Sequence, residues 1–479
     1  MIEATLLKDN NAPITGGPRL LLLSYHFPPG QATGALRWQQ LARFAVERGW
    51  SIDAITRHPD ELPSADFSRL AQLPDGVRVF GVRSAVDGVR RWEDRLVGWR
   101  NRARAASAAP DKDRALASVA PSKAPELAWR NQLRWSLTPG GLRRAYHAWR
   151  FFQEEWTWAR AAQREAIALF QGHDAIASCG PPHMPHIAAR NVARHHGVPY
   201  IVDMRDPWSL APAVPMPVGT PFWYRLAEGY EGSAIRDAAL VVVNTGLHAT
   251  ELRKLYPEAA QRIMPIMNGC DEDRVEPQQS DRFLISYAGN IYIDRDPRFL
   301  FRAAARFLRE EGLSPAQVGI ELIGHVDQFG GVPIRQLAEH EGIGEFLEVH
   351  PRLPRGEALA LMARAAVLVS LPQEVDLAIP SKVFEYSQFP AWMLALARTG
   401  SATEEVLRGS GADVVSPDDE DAIVATLRRR WQQYKTSGRP QPINADGRFN
   451  RSRQAALLFD AIEQKLATVT KRTNAERAA

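Results

Sequence analysis

Short, continuous apolar runs recur along this chain, each separated from the next by a segment with helical features. The first, residues 19–24, holds four consecutive leucines, as expected of a parallel strand covered on both faces. Similar runs lie at 51–56, 77–82, 174–178, 200–203, 239–244, 284–287, 319–323, 346–350 and 365–370. Strands that alternate with helices predict an α/β fold with parallel sheets. Because 479 residues exceed what one hydrophobic core usually serves, we expect two domains.

The segment 379–386 (Ile-Pro-Ser-Lys-Val-Phe-Glu-Tyr) follows the last of these runs and is typical of a helix start. Proline is tolerated there, and Ser381 is placed to cap the helix. Lys382 falls in the first turn, where a cation is unfavourable unless an anion shares the site with the free backbone amides. Glu385 lies about one turn further on, and its carboxylate suits a ligand with hydroxyl groups, such as a ribose. An anion beside a diol indicates a nucleotide. The alternative is an ordinary helix start with a solvated Lys382 and Glu385.

Pro-Ser-Lys-x-Phe-Glu-Tyr, late in the chain, resembles the donor-site motif of the family-four retaining glycosyltransferases, above all the bacterial branch that builds capsule, O-antigen and exopolysaccharide. Ser-x-Gly-Pro…His, from Ser178, and Asp-x-Arg-Asp-Pro-Trp, from Asp203, resemble the same branch. The resemblance extends from about Arg19 to Ile462. It implies the GT-B architecture, two Rossmann-like domains with a cleft between them. It also implies a nucleotide-sugar donor, held mainly by the C-terminal domain, that is a substrate and not a cofactor.

Breaks in the pattern set the expected domain bounds. Residues 1–17 are predicted to be a loose leader, 18–277 the N-terminal, acceptor-side domain and 281–445 the C-terminal, nucleotide-sugar-binding domain. The polar stretch 276–281 is predicted to be the hinge, after an Asn268-Gly269 turn that resembles the end of the first domain in the family. The resemblance implies a terminal helix at 446–466 that packs back on the N-terminal domain. Residues 467–479 are predicted to be disordered.

The loop after the first strand opens at the carboxyl edge of the predicted sheet, where ligands bind in such folds. Its prolines and glycines preclude regular structure, and its spacing is not that of a dinucleotide-binding loop. In the resembled family this loop faces the donor phosphates or the acceptor. Gly34 is therefore a donor-side candidate and Arg37 an acceptor-side candidate. Arg37 as a surface residue of a first helical turn is the alternative.

Two later post-strand loops of the same domain carry further candidates. The resemblance implies a polar residue near the transferred sugar, and His183, nearest to the strand end, is the catalytic candidate. His186 is an acceptor-side candidate that alternatively caps its helix. Arg205 and Asp206 are predicted to bind acceptor hydroxyls or phosphate. A buried pair that holds two loops together is the alternative for them.

In the C-terminal domain, the strand-glycine-basic loop of the resembled family wraps the diphosphate. Here it offers Gly289 and Arg295, with Arg298 possible, and no lysine. Arg352 is expected near the nucleobase, and Ser381, Lys382 and Glu385 complete the donor-binding prediction. Arg295 and Lys382 are predicted to stabilise the leaving group, and Glu385 to bind the ribose.

This sequence departs from the family pattern at one carboxylate. The pattern is Glu, seven residues, Glu, and counting back from Glu385 reaches Leu377. Glu374 and Asp376 lie nearby and could replace the missing carboxylate if the loop bends. The identity of the sugar is therefore open.

Residues 84–135 form an irregular insertion in which tryptophans alternate with arginines, and this pattern extends to Trp158. Seven of the chain's 13 tryptophans lie here: Trp92, Trp99, Trp129, Trp135, Trp149, Trp156 and Trp158. Tryptophan with basic residues suits an anionic membrane interface or single-stranded nucleic acid. The alternative is a helical hairpin that packs its tryptophans into its own domain. A membrane surface is retained as a possible partner, and nucleic acid is not expected.

Composition limits the remaining possibilities. The net charge of +4 is too small to argue for nucleic acid, and two cysteines form no disulfide framework. No apolar run reaches the roughly 18 residues of a membrane span, and the N-terminus lacks signal-peptide features. We therefore expect a cytoplasmic protein, with any membrane contact peripheral, and no metal site. The prediction is an enzyme: a glycosyltransferase that moves a sugar from a nucleotide donor to a glycan or lipid-linked acceptor in cell-surface polysaccharide synthesis. The alternatives are a catalytically silent GT-B scaffold protein, which Leu377 favours, and a sugar-nucleotide 2-epimerase.

Overall fold

The structure is a computed structural model that describes residues 4–9, 16–32, 34–84, 139–210, 221–272, 278–291, 295–372 and 375–478. These residues form two compact units. The first extends to Met267 and resumes at Gln454, and the second spans residues 268–453. The change of unit therefore precedes the predicted hinge at 276–281, and the Asn268-Gly269 turn opens the second unit instead of closing the first.

The first unit is built on an eight-stranded sheet with the order β1-β4-β3-β2-β5-β6-β7-β8. The strands are β1 (Thr5–Lys8), β2 (Arg19–Ser24), β3 (Ser51–Arg57), β4 (Val77–Val82), β5 (Ala175–Gly180), β6 (Tyr200–Met204), β7 (Leu240–Val243) and β8 (Ile263–Pro265). All neighbours are parallel except β1, which pairs antiparallel with β4. Without β1, the order of the strands is that of the doubly wound Rossmann sheet. Because β1 lies within residues 1–17, that segment is not wholly the loose leader that the sequence predicted.

The second unit has a six-stranded parallel sheet with the order β13-β10-β9-β14-β15-β16. The strands are β9 (Phe283–Asn290), β10 (Val318–His325), β13 (Leu347–His350), β14 (Val367–Ser370), β15 (Trp392–Leu396) and β16 (Asp413–Val415), with a small hairpin of β11 (Gln328–Phe329) and β12 (Val332–Pro333). Counted along the chain, this is the same 3-2-1-4-5-6 order. The two sheets confirm the predicted α/β class.

Helices alternate with these strands. They are α1 (Gly34–Glu47), α2 (Ser68–Ala71), α3 (Pro139–Leu169), α4 (Met184–His196), α5 (Pro221–Asp237), α6 (Gly246–Leu255), α7 (Arg298–Glu310), α8 (Ile334–His340), α9 (Arg355–Arg364), α10 (Ser381–Tyr386), α11 (Ala402–Leu407), α12 (Glu420–Ser437) and α13 (Arg451–Ala478). Helix α13 is longer than the predicted 446–466 and continues through the segment predicted to be disordered. Within the described residues, no helix is long and apolar enough to cross a membrane.

Alternate residues of each central strand face different layers, which is why the apolar runs are continuous. In β2, Leu21 and Leu23 belong to one core, which α3 to α6 cover, and Leu20 and Leu22 belong to the other. That second core contains Leu458, Phe459 and Ile462 of α13, so the terminal helix covers one face of the first unit's sheet. In the second unit, Phe301 and Phe307 of α7 pack on β9 and β10. This packing fixes the carboxyl edges of both sheets, where the loops are.

Candidate functional site

Each sheet has a switch point, the place where the strand order reverses and adjacent loops leave in opposite directions. It lies between β2 and β5 in the first unit and between β9 and β14 in the second. Ligands of doubly wound sheets bind outside the carboxyl ends of the strands at this point. In the second unit, Gly289 lies at the carboxyl end of β9, Arg295 follows this strand, and α10 with Lys382 and Glu385 follows β14. The structure thus brings the main predicted donor-binding segments to one edge of one sheet.

Helix α10 begins differently from the prediction. Pro380 occupies the N-cap position without a side-chain hydrogen bond, and Ser381 is the exposed first residue of the helix. Ser381 therefore does not cap α10, because its hydroxyl lies one position too late. Val383, Phe384 and Tyr386 are buried, which anchors the helix and leaves Lys382 and Glu385 on the partly exposed face.

Lys382 and Glu385 form an ion pair with each other. Lys382 Nζ lies 2.5 Å from Glu385 Oε2, and Arg355 Nη1, from the start of α9, lies 3.2 Å from Glu385 Oε1. Arg355 also approaches Asp271 at 3.7 Å. Glu385 therefore sits between two cations. The sequence reasoning missed Arg355, although Pro354-Arg355 after a strand is itself a signal of a basic helix start.

Arg295 lies after β9, as the prediction required, and its guanidinium is tied to the strand. Arg295 Nη1 donates to the Tyr287 hydroxyl at 3.2 Å. A side chain on Gly289 would place its Cβ 2.7 Å from that hydroxyl, so any larger residue there would displace the Tyr287 hydroxyl. Arg298, the further candidate, forms a bidentate ion pair with Asp296, the shortest distance being 2.6 Å, and stacks over Phe329. The ion pair holds the Arg298 guanidinium against Asp296 at the start of α7, so Arg298 is a structural residue there and not a second phosphate ligand.

The remaining donor-side candidates lie in two loops. Arg352 is exposed in the loop between β13 and α9. In the loop before α10, Asp376 Oδ2 lies 3.6 Å from Arg398, and the Asp376 carbonyl accepts a hydrogen bond from the Ala402 amide at the start of α11. Glu374, the other possible replacement for the missing carboxylate, lies outside the described residues.

The structure contradicts the acceptor-side prediction for Arg37. The side chain is 4% exposed and forms a bidentate ion pair with the fully buried Asp203 of β6, with Arg37 Nε 2.9 Å from Oδ2. Its remaining donors bind the carbonyls of Ile266 and Met267. Trp38 Nε1 also donates to Asp203 at 2.7 Å. Arg37 therefore connects α1, β6 and the end of β8, and its guanidinium has no access to an acceptor.

Gly34 and Arg205 lie against each other. A Cβ on Gly34 would stand 1.8 Å from Arg205 Nη1, so the glycine makes room for the guanidinium at the start of α1. This close approach is a different role from the predicted donor contact. Arg205 Nη2 donates to the Pro181 carbonyl at 3.4 Å, and Nε lies 3.5 Å from Asp206. Nη1 is buried and forms no hydrogen bond among the described residues. Arg205 thus links the loops after β5 and β6, and Asp206 is partly exposed.

The rings of His183, His186 and Trp208 contact one another, and the two histidine centroids are 5.6 Å apart. The His183 ring stacks on Trp208 with centroids 4.7 Å apart, and it is the N-cap residue of α4 without a side-chain cap bond. Burial, aided by His186 and Arg205, holds the pKa of His183 well below its usual value. His186 is fully buried, with Nδ1 2.8 Å from the Ser178 hydroxyl, and burial lowers its pKa to about 3. His186 is therefore a core histidine and neither caps α4 nor reaches an acceptor, whereas His183 is partly exposed.

Glu155 of α3 supplies the cap that α4 lacks, and the sequence reasoning missed it. Its Oε2 accepts from the His183 backbone N–H at 3.3 Å, and the carboxyl is buried. Burial raises the pKa of Glu155 to about 8, which the amide hydrogen bonds only partly offset. His26, after β2, has its pKa lowered to about 4 by burial and by Arg205 and Arg57. No motif pointed to either residue, because each acquires its environment from distant elements.

Residues 84–158, in which tryptophans alternate with arginines, make up the Trp/Arg segment. Most of it, including Trp92, Trp99, Trp129 and Trp135, lies outside the described residues. Of the rest, Trp158 is fully buried and contacts Tyr25 edge-on, and Trp156 stacks on Phe152. Trp149 is 42% exposed. The packing alternative therefore holds for Trp156 and Trp158.

Among the described residues, one group has the geometry for a metal ion: Glu321, Glu348 and His350. Both carboxylates already have cationic partners. Arg364 Nη2 lies 2.8 Å from the fully buried Glu321, and Arg282 pairs with Glu348. Two guanidinium groups disfavour a divalent cation at this position.

No family model matches the chain. Over 200 residues it is 29% identical to D-inositol 3-phosphate glycosyltransferase 1 of Catenulispora acidiphila, a match that covers 39% of this chain. The matched part is 47% of that protein, so the chain spans about half the length of this curated relative.

Solved structures match nearly the whole chain. Sucrose-phosphate synthase from Thermosynechococcus elongatus superposes with a TM-score of 0.58 at 12% identity, over 94% of this chain and all (100%) of that one. HepE from Anabaena in complex with UDP-glucose superposes with a TM-score of 0.53 at 13% identity, over 95% of this chain and 99% of that one. At these identities the likeness shows the fold alone. Together with the two Rossmann sheets, it assigns the chain to the GT-B fold class.

Proposed function

We propose that the chain is a glycosyltransferase whose nucleotide-sugar donor binds at the switch point of the second unit. One observation carries the proposal. Arg295, Lys382 and Arg355 follow different strands of the same parallel sheet and meet its carboxyl edge, and Glu385 pairs with two of them. Cations at this position suit a diphosphate, and the carboxylate suits the ribose hydroxyls.

The reaction needs charge stabilisation on the leaving group. When the bond between the sugar's anomeric carbon and the phosphate oxygen breaks, its electron pair stays on the nucleoside diphosphate. Arg295 and Lys382 are the groups that stabilise this charge. A bond forms between the anomeric carbon and an acceptor hydroxyl oxygen, and the hydroxyl proton passes to the departing phosphate oxygen. The resemblance to family-four enzymes favours transfer with retention of configuration. In the free protein, Glu385 forms ion pairs with Lys382 and Arg355. When the donor binds, the Glu385 carboxylate accepts hydrogen bonds from the ribose hydroxyls instead.

The acceptor belongs, in this proposal, to the switch point of the first unit. His183 is the candidate for the transferred sugar, and the partly exposed Asp206, paired with Arg205, is the candidate contact for the acceptor. The motifs favour a glycan or lipid-linked acceptor in cell-surface polysaccharide synthesis. The D-inositol 3-phosphate glycosyltransferase and the sucrose-phosphate synthase make phosphorylated sugars a second acceptor class to test.

We place the reaction in the cytoplasm, on the inner face of the membrane if the acceptor is lipid-linked. The support is the Trp/Arg segment, together with the exposed Trp149. Sedimentation with vesicles of anionic lipid, at low and high salt, tests this part. Binding that weakens with salt supports it. Absence of binding would leave the tryptophans as packing residues only.

A catalytically silent GT-B scaffold is the second candidate, because Leu377 stands where the family pattern has a carboxylate. Calorimetric titration with UDP, GDP, ADP and their sugar conjugates separates the two. An enzyme binds one of the nucleotides and releases it on turnover, whereas a scaffold binds none.

Two lysine variants test the donor site: Lys382→Ala removes a proposed diphosphate contact, and Lys254→Ala is its matched control. Lys254 pairs with Glu251 at the same i,i+3 spacing, at 2.7 Å, on a helix of the first unit. Lys382→Ala should weaken the preferred nucleoside diphosphate by about 1.5–3 kcal/mol, the value of a charge-assisted contact, without a matching loss of folding stability. Lys254→Ala should not change the affinity. Equal affinity in both variants would remove Lys382 from the donor site.

A further inference from the structure

The hydrogen-bond ladder between β9 and β14 stops before β9 does. Ile285 and Ser286 of β9 pair with Val367 and Leu368 of β14, but β9 continues to Asn290. The strands part here because this is the switch point. Ala288 lies two residues beyond Ser286, so its backbone N–H and C=O point to the same side of β9 as those of Ser286. No pairing with β14 reaches these two groups.

Tyr386 of α10 satisfies both backbone groups of Ala288. Its hydroxyl oxygen accepts from the Ala288 N–H at 2.8 Å and donates to the Ala288 carbonyl at 3.1 Å. The side chain is 1% exposed. Burial raises the pKa of Tyr386 well above its usual value, so the hydroxyl keeps the proton that it donates. One side chain thereby fastens the helix that carries Lys382 to the carboxyl end of β9.

Tyr287 fastens the loop that follows β9. Its hydroxyl donates to the Asn290 carbonyl at 2.8 Å and accepts from Arg295 Nη1 at 3.2 Å. Gly289 lies between these partners, and its missing side chain leaves the hydroxyl the space it needs. The guanidinium of Arg295 is thus held at a fixed place beside the end of the strand.

We propose that Tyr287 and Tyr386, the tyrosine pair, are positioning residues that set the spacing between Arg295 and Lys382 to fit one diphosphate. The inference rests on the proposed function and extends it to residues that touch no substrate. The two cations belong to separate segments, and β9 is the element that both tyrosines bind. A diphosphate that contacts both cations binds more tightly when the distance between them is already set, because less conformational entropy is lost on binding. A nucleoside without phosphates does not depend on this spacing.

The chain contains a matched control at the opposite end of β9. The hydroxyl of Tyr434, on α12, donates to the carbonyls of Ser280 at 2.8 Å and Arg282 at 3.3 Å. Tyr434→Phe therefore removes a hydroxyl bound to the backbone beside the same strand, far from the carboxyl edge. The Tyr434→Phe variant therefore shows how much stability is lost with a backbone-bound hydroxyl that lies outside the proposed site.

The experiment compares Tyr386→Phe, Tyr287→Phe and Tyr434→Phe in the full chain. Calorimetry with UDP, GDP and ADP selects the preferred nucleoside diphosphate, and each variant is titrated with it and with the corresponding nucleoside. Tyr386→Phe should weaken the diphosphate about tenfold and the nucleoside less than about twofold. Tyr434→Phe should leave both affinities unchanged while it lowers the melting temperature about as much as Tyr386→Phe does.

Two results would overturn the inference: equal affinities in Tyr386→Phe and Tyr434→Phe, or equal losses for the nucleoside and the nucleoside diphosphate. If Tyr386→Phe does not fold, Tyr287→Phe decides, since it leaves α10 attached. A loss of about three- to tenfold for the diphosphate alone supports the inference, and no loss refutes it. A wild-type protein that binds no nucleoside diphosphate refutes the proposed function itself. Wild-type binding with no loss in Tyr386→Phe refutes the tyrosine pair alone.

Discussion

At the switch point of the first unit the polar side chains are mostly buried, whereas at that of the second unit they are partly exposed and carry charge. Burial lowers the pKa of His186 to about 3 and that of His26 to about 4, and raises that of Glu155 to about 8, so all three are neutral near pH 7. Lys382 and Glu385 instead form an ion pair, with side chains 26% and 17% exposed. Six strands of each sheet have the same order, 3-2-1-4-5-6, counted along the chain from β2 and from β9. Topology therefore decides where the loops meet, and burial decides whether the side chains there are neutral or charged.

One of the two largest expected effects tests whether Arg37 belongs to the core of the first unit. Arg37→Ala leaves the fully buried carboxylate of Asp203 without its cationic partner, which should lower the free energy of unfolding by about 3–5 kcal/mol. Arg43→Ala is the control, because Arg43 lies on the same helix in an exposed pair with Glu47 at 3.8 Å and should cost less than about 0.5 kcal/mol. Urea unfolding measures both. A stable Arg37→Ala protein with impaired acceptor use would return Arg37 to the site.

The next prediction concerns the neutral state of Glu155. Its pKa in the folded protein, about 8, lies above the unfolded value of 4.5. Between these values the folded chain retains a proton that the unfolded chain releases. The stability due to this group therefore falls as the pH rises from 4.5 to 8 and is constant above that. The pKa difference of about 3.5 corresponds to about 4–5 kcal/mol in total, and Glu155→Gln, which cannot ionise, should remove this pH dependence.

Thermal unfolding between pH 5 and 8.5 measures this dependence. The exposed neighbour Glu154 provides the control, since Glu154→Gln should leave the pH profile as in the wild type. If Glu155→Gln has the wild-type profile, then Glu155 is charged in the folded protein, and the contrast between the two switch points weakens.

A similar or smaller effect is expected for Glu385→Gln, which tests whether the charged site of the second unit binds the ribose. The substitution should weaken the nucleoside diphosphate and the intact sugar nucleotide by similar factors, corresponding to about 1.5–3 kcal/mol. Glu251→Gln, at the partner of Lys254, is the matched control and should change neither affinity. A Glu385→Gln protein that binds the nucleoside diphosphate normally but no longer transfers sugar would assign Glu385 to the transferred sugar.

The strands were predictable wherever burial alone determines the residue types. Continuous apolar runs such as β2 mark a strand covered on both faces, whatever its neighbours are. The edge strand β1 was missed because it has one partner and a mixed Thr-Leu-Leu-Lys sequence. The strand β15 was missed as well, although all five of its residues are buried.

The sequence predicted the segments that carry Lys382, Glu385 and Arg295 to lie at the carboxyl edge of one sheet, because each segment comes after an apolar run. Long-range partners were not predictable: Asp203 is 166 residues from Arg37, and Ala288 is 98 residues from Tyr386. Local patterns do not contain such contacts, and for this reason Arg37 was assigned to the surface of the site and Tyr386 to none.

The smallest expected effect concerns how helices begin at the edge of the second unit. Ser401 caps α11, where its hydroxyl accepts from the Glu404 amide, whereas Ser381 stands inside α10 and caps nothing. Both helices have six residues. Ser401→Ala should therefore cost about 1 kcal/mol of unfolding free energy, and Ser381→Ala less than about 0.3 kcal/mol. Urea unfolding of the two variants gives the difference. In the first unit, the corresponding helix α4 also has an N-cap residue, His183, without a side-chain cap bond, and Glu155 of α3 accepts from the backbone N–H of that residue. A loss of 1 kcal/mol in Ser381→Ala would show that the serine does cap α10 in solution, and that the amides of its first turn are not left for the donor.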